Sequence, residues 1–394
     1  MNKDANTSGL PLSSLTVVDY SANAAGPVTA MLLGDFGARV IKVEPPSGDA
    51  TRSWGSHRFG EKREFTGTYV AMNRNKSGIV LDLKIPGDAE IARELNATAD
   101  VIIHSYLPGV AKKLGVDYES VSGFNDKVVH CTISGFGQDG PLRERPGFDM
   151  LLQAYAGHMS ITGEPSGASV RSGPSSIDLL TGAHAAFGIM VALKDKARSG
   201  KGQAVNVSLF DTAIHMMGNH IADYTGSNKL PPKFGGHFPN MSPYGVYRAS
   251  DREFYIGVSS DAMWQKFCKE IGNEELAANP LFTANIGRLK NKVELAKVLE
   301  PMFLEKMAQE WVDLAVSLSI PACLVHTIDE VAQHEQALSR QMLVSAGVGD
   351  LMMPGVPLQL SRTPGSIRQY APGLGEHTDE ILTSLKGGSR VPSV

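Results

Sequence analysis

The chain has 394 residues, with 42% apolar and 20% charged side chains, 37 basic against 41 acidic groups, and a net charge of -4. That is ordinary globular usage and length enough for two or three domain-sized units; it excludes a disordered chain, a coiled coil and a collagen-like repeat. The charge balance argues against a nucleic-acid binder or a polybasic membrane patch. Three widely spaced cysteines form no zinc or disulfide spacing, which points to a reducing compartment. The polar lead MNKDANTSG carries no apolar signal core, and no uninterrupted apolar run reaches the length of a span. A soluble, cytoplasmic protein is expected.

Residues 15–20 predict a buried strand, 28–36 a helix opened by Gly26-Pro27 and stopped by Gly37, and 39–44 a second strand closed by Pro45-Pro46. The alternation continues with a strand at 79–83, a helix at 89–98, a strand at 101–103 and a helix from 110. Another strand at 128–134 ends in Gly135-Phe136-Gly137, followed by a helix at 149–159, a long apolar helix at 176–197 and a strand at 204–209. Repeated β-then-α order predicts an α/β fold with a doubly wound parallel sheet. Near residue 225 the pattern changes. A hairpin is expected over 244–258, helices at 263–271 and 292–319, strand-like pieces at 343–348 and 356–360, and a last helix at 378–386. The expected division is a large Rossmann-like domain from 1–224, a smaller α+β domain from 225–335, and a segment 336–394 that returns to the first.

The first βα turn, Ser21 to Pro27, is the natural anion site, because a helix N-terminus offers free N–H groups. The GxGxxG fingerprint is absent there. Glu44 alone, at the end of the second strand, supports a nicotinamide dehydrogenase only weakly. Asp178 stands in the expected first turn of the long helix, with Ser175 or Ser176 as the N-cap. The helix dipole there favours the carboxylate form.

Several stretches in order identify the chain as resembling the family III CoA transferases, the group that includes formyl-CoA transferase and the alpha-methylacyl-CoA racemases. They are Ala25-Gly26-Pro27, Leu33 to Glu44, Ser47-Gly48-Asp49 with Arg52, Asn75-Lys76, Tyr106 with Pro108-Gly109, Ser134 to Gly137, Arg145-Pro146-Gly147-Phe148-Asp149, and Leu374-Gly375-Glu376-His377-Thr378. The likeness spans residues 12–385. It implies an interlocked homodimer, acyl-CoA and a small carboxylic acid as substrates, and CoA as a substrate with no permanently bound cofactor.

It also implies Asp178 as the nucleophile, acting through an aspartyl mixed anhydride and an aspartyl-CoA thioester. Asn23, Ala24, Ala25, Lys76, Ser105, Tyr106 and Lys113 fall on the family's CoA-contacting segments. Ser77 and Pro45 depart from formyl-CoA transferase, which carries arginines there. The racemases use a histidine in Gly-His-Asp, where this chain has Gly147-Phe148-Asp149; phenylalanine moves no proton, which disfavours the racemase alternative. Gly235-Gly236 is a candidate for oxyanion donors by position. Arg143, Arg145 and Arg171 lie near the catalytic segment in sequence as candidate partners for a second carboxylate, or as plain surface arginines.

Overall fold

The computed structural model describes residues 9–386. The ends of the sequence reading, residues 1–8 and the polar tail 387–394, lie outside them. Six strands form one parallel sheet: β1 (Thr16–Asp19), β2 (Arg39–Glu44), β3 (Lys76–Val80), β4 (Val101–His104), β5 (Val129–Ser134) and β6 (Gln203–Ser208). Their spatial order is β3-β2-β1-β4-β5-β6, a doubly wound arrangement.

Alternate residues of the strands feed two cores, one on each face. Val17, Val40, Val101 and Ile103 pack with Ile177, Ala185 and Ile189 of the long helix Ser176–Ser199. Val18, Ile41, Ile79 and Ile102 pack with Leu95, Ala111 and Ile381 on the other face. Burial on both faces explains why these strands read as near-continuous apolar runs.

Helix Ser176–Ser199 is long and apolar enough, by length and composition, to pass for a membrane span. Here it packs along the sheet. A Cβ on Gly182 would sit 2.8 Å from the Ala25 carbonyl oxygen. That glycine therefore lets the helix lie directly against helix Ala25–Asp35.

The chain forms two compact units. One contains residues up to 158, 171–227 and from 335 onward; the other contains 159–170 and 228–334. In the first unit the last segment returns to the outer edge of β3. Asn75 N–H donates to the Gln369 carbonyl at 2.9 Å, His377 N–H to the Gly78 carbonyl at 2.9 Å, and Gly78 N–H to His377 Nδ1 at 3.2 Å. A small hairpin pairs β10 (Leu343–Ser345) with β11 (Met352–Pro354). The second unit carries an antiparallel sheet of β7 (Tyr244–Arg248), β8 (Glu253–Gly257) and β9 (Ala322–Leu324). Its core is built on Trp264, Phe267, Phe303 and Trp311.

Several expected elements differ. β3 begins at Lys76 rather than 79, because Lys76 is fully buried through ion pairing and so escapes a polarity pattern. The helix opening at Asp149 stops at Tyr155; Gly157 follows at φ 89°, and a short turn His158–Ile161 comes after it. The expected helix at 292–319 is two, Lys292–Phe303 and Ala308–Ser317. The second is started by Asp251, whose carboxylate accepts from Ala308 N–H at 2.8 Å. Residues 356–360 form no strand; Pro357 lacks the N–H a ladder needs.

Candidate functional site

The loops that leave the carboxyl ends of β1, β4 and β5 meet beside the point where the strand order reverses, the usual place for a ligand on such a sheet. They enclose a cavity of about 140 Å³. Its walls are residues 22–26 after β1, Ser105, Tyr106 and Leu107 after β4, Ser134 and Gly135 at the end of β5, Pro146, Gly147 and Phe148, with Leu209 and Asp178. Five of the expected CoA-contact residues, Asn23, Ala24, Ala25, Ser105 and Tyr106, thus come together with Asp178. Lys76 and Lys113 do not.

The β1 turn is held from below. Asn23 adopts φ 70°, a left-handed conformation that asparagine tolerates. Its N–H donates to Asp49 Oδ1 at 3.3 Å, and Ala22 N–H donates to Ser105 Oγ at 3.2 Å. No side chain caps helix Ala25–Asp35, so its first-turn N–H groups at Ala25 and Gly26 are left to an anion.

Under this turn lies a buried ionic network. Lys76 Nζ donates to Asp19 Oδ2, the Pro27 carbonyl and Asn73 Oδ1, each at 2.9 Å. Lys42 Nζ pairs with Asp49 at 2.9 Å and donates to the Ser21 carbonyl at 3.0 Å. Arg52 forks onto both oxygens of Glu44 at 2.8 and 2.7 Å.

One expectation is corrected here, and the weak alternative at Glu44 is weakened further. Lys76 is not a free cation for a nucleotide: it is fully buried with all three protons donated, and burial lowers it to about 8. Glu44 is occupied by Arg52 and by Asp49 N–H at 2.8 Å, so it has no oxygen to offer a ribose. Lys113 is exposed in the last turn of helix Pro108–Leu114. Leu107, which lines the cavity, precedes that helix's first turn.

Tyr106 is fixed by His104. The rings stack at 5.9 Å with 21° between planes. Tyr106 N–H donates to His104 Nδ1 at 3.2 Å. The proton therefore sits on Nε2, which donates to Thr132 Oγ1 at 3.0 Å. Burial pushes His104 down to about 3, so it stays neutral.

Asp178 does occupy the first turn of its helix. Ser175 is the N-cap residue, as expected, but its side chain makes no capping hydrogen bond. Asp149, 28 residues earlier, accepts from Ile177 N–H at 2.8 Å and from Asp178 N–H at 3.2 Å through Oδ2. Its Oδ1 accepts from Gln153 Nε2 at 2.6 Å, and Gln153 Oε1 in turn accepts from Ser172 N–H at 2.9 Å.

At Asp178 two effects oppose the helix dipole. Burial, and then the Asp149 carboxylate, raise Asp178 from 3.8 to about 7. Near neutrality the carboxyl is divided between its two forms. Ionised, it is a carboxylate of raised basicity at the edge of a cavity with no other charged lining residue. Asp149 was visible in the sequence only as the last residue of Gly147-Phe148-Asp149; nothing local there announces a cap for a distant helix.

Gly235 of the glycine pair and two half-buried histidines have partners of their own. Gly235 N–H donates to the Gly163 carbonyl at 3.0 Å within the second unit, so it is not a free oxyanion donor. His184 Nδ1 meets Thr212 Oγ1 at 3.2 Å, and His158 Nε2 meets the Ala213 carbonyl at 2.9 Å.

The CoA-transferase family III profile matches residues 12–378. The chain belongs to CoA-transferase family III. Within the family it is 34% identical to succinate–glutarate CoA-transferase of Agrobacterium fabrum, over 95% of this chain and 96% of that one. It is 35% identical to acetyl-CoA:oxalate CoA-transferase of Acetobacter aceti, over 89% of each. The human succinyl-CoA:glutarate CoA-transferase shares 32% identity over 95% of this chain and 86% of its own. Among solved structures, a CAIB/BAIF family protein from Brucella suis superposes with a TM-score of 0.89 at 32% identity, over 96% of this chain and all of that one.

Proposed function

We propose that this chain transfers CoA from an acyl-CoA thioester to a carboxylate acceptor, with Asp178 as the nucleophile. The observation that carries the reading is a lone carboxyl of raised basicity, held at a helix start in a cavity otherwise walled by uncharged residues and backbone turns. The named relatives act on succinate, glutarate and oxalate, which supports short dicarboxylates as donor acyl group and acceptor.

Each step exchanges one acyl bond. The Asp178 carboxylate adds to the thioester carbonyl and CoA leaves as thiolate, forming a mixed anhydride. The thiolate attacks the Asp178 carbonyl of that anhydride; the donor acid departs and an aspartyl-CoA thioester remains. The acceptor carboxylate then attacks this thioester, releasing thiolate and forming a second anhydride. Thiolate attack on its acceptor carbonyl gives the new acyl-CoA and frees Asp178. Two modest barriers replace one direct exchange at each half-reaction.

The uncapped N–H groups of Ala25 and Gly26 suit a CoA phosphate, with Asn23, Ala24, Ser105 and Tyr106 around it and exposed Lys113 as an outer cation. CoA comes and goes as substrate. Phe148, at the cavity wall where a racemase would need a proton carrier, supports transfer over racemisation.

A second copy of the chain belongs to the reading. Phe187 is 71% exposed and Val191 53% exposed, one helical turn apart on the helix that carries Asp178, with Met190 beside them. An apolar face of that kind suits burial against a partner, here a homodimer in the cytoplasm.

The test is to incubate the protein with succinyl-CoA, add hydroxylamine, and map the modified peptide by mass spectrometry. A hydroxamate at Asp178 is expected. Asp178→Ala with undiminished CoA exchange would refute the assignment. Exchange of the Cα proton for deuterium without any acceptor acid would favour the racemase.

A further inference from the structure

The cavity lining contains one charged side chain, the Asp178 carboxylate, and no cation. A dicarboxylate entering to react there brings a second negative charge. That charge is repelled by the site unless a cation just beyond the lining receives it.

Three arginines border the lining segments in the chain, and the structure separates them. Arg143 lies against its own neighbour Glu144 at 3.6 Å. Arg171 Nη1 donates to the Ser172 and Gly173 carbonyls of its own segment at 2.8 and 2.6 Å. Arg145 has no anionic partner among the described residues; its guanidinium stands over the rings of Phe136 and Tyr155, 5.6 and 5.4 Å from their centroids.

The residues of this aromatic seat adjoin lining residues in the chain. Phe136 follows Gly135, and Phe210, tilted against Phe136 at 5.7 Å, follows Leu209; Gly135, Leu209 and Pro146 all line it. Gly135 and Gly147 cross so closely that a Cβ on Gly135 would lie 2.5 Å from Gly147 N, which pins the Arg145-Pro146-Gly147 strand to the wall. A guanidinium held over ring faces at those centroid distances keeps N–H groups available for a carboxylate. The lysines of helix Pro108–Leu114 are worse placed: Lys113 lies six residues beyond Leu107, roughly 9 Å along a helix.

We infer that Arg145 receives the distal carboxylate of the acceptor acid and makes the enzyme selective for dicarboxylates. The inference rests on the transfer reading above. The aromatic seat holds the fork in place, and the fork meets the carboxylate in two parallel hydrogen bonds.

The experiment compares succinate and glutarate with their monomethyl esters as acceptors, using succinyl-CoA as donor, in the wild type, R145Q and R145K. Arg143→Gln and Arg171→Gln serve as neighbouring controls. R145Q is expected to raise KM for the free diacids at least tenfold, the loss of a hydrogen-bonded charge. KM for the monoesters should stay within twofold, while KM for succinyl-CoA, whose acyl group carries the same distal carboxylate, should rise with that for the diacids. R145K, which keeps the charge and loses the fork, should fall between, and the controls should match wild type. An unchanged diacid-to-monoester ratio in R145Q would overturn the inference. So would a raised KM for succinyl-CoA with diacids and monoesters affected alike, since the arginine would then serve CoA. A wild type that exchanges CoA with none of the acids would instead overturn the transfer reading beneath it.

Discussion

Replacing Asp149 by Asn removes a negative charge beside Asp178 while keeping an oxygen for the N–H groups of Ile177 and Asp178. Asp178 is raised from 3.8 to about 7, with burial the larger cause and Asp149 the smaller. Asp149 therefore supplies less than half of that displacement. The acid limb of kcat/KM, which follows ionisation in the free enzyme, should move down in D149N from near 7 by less than about 1.6 pH units. At pH 6 about a tenth of wild-type Asp178 is ionised, so kcat/KM relative to its plateau should rise by up to about ninefold. The substitution has a structural cost. The new amide faces the Gln153 amide that now donates to Oδ1, so a loss of about 1 kcal/mol in urea unfolding is expected. The assay is a profile of kcat/KM for succinyl-CoA from pH 5 to 9. An acid limb that stays at 7, or moves upward, with the plateau intact would refute the coupling.

The same carboxyl makes a stability prediction. A carboxyl raised in the folded state costs nothing below its unfolded value. The cost grows as the unfolded chain ionises first, and it is constant above the folded value. D178N should therefore abolish CoA exchange yet stabilise the fold by about 2 kcal/mol at pH 8, with no gain at pH 4, by chemical denaturation. Lys76→Met leaves Asp19 buried without its ammonium and should cost about 3–5 kcal/mol. A loss below about 1 kcal/mol would show that the pair is dispensable. Asp19→Asn combined with Lys76→Met should recover part of the loss.

The parallel sheet was legible because its strands are apolar and punctuated. β2 runs from Arg39 to Glu44, as the pattern and Pro45-Pro46 indicate. β3 was shortened because a lysine at its start reads as surface, whereas Lys76 is paired with Asp19, 57 residues earlier. The break at 304–307 carries no glycine, and both flanking helices bury into one core, so their apolar pattern runs on without interruption.

At the site, the first βα turn and Asp178 follow from local patterns: a helix start and an acid in its first turn. The Asp149 cap, the spent ammonium of Lys76 and the free guanidinium of Arg145 depend on which partners arrive from elsewhere in the chain. No spacing encodes that. The small-residue crossing of Gly135 and Gly147 is visible as two glycines, though not as one contact.

The return of the last segment to β3 also sets a timetable for synthesis. The N–H of Gly78 waits for His377, 299 residues later, which at about 5–20 residues per second is roughly 15–60 s of translation. Throughout that interval the turn after β1 has already emerged, while the outer strand of the sheet still offers unpaired backbone to any passing chain. The burial of Lys42 and Lys76 beside Asp19 and Asp49 must likewise be completed on a sheet whose margin is open. The closing stretch thus acts as the final seal of a nascent protein, and its late arrival makes the newborn chain most exposed to mispairing just before it becomes whole.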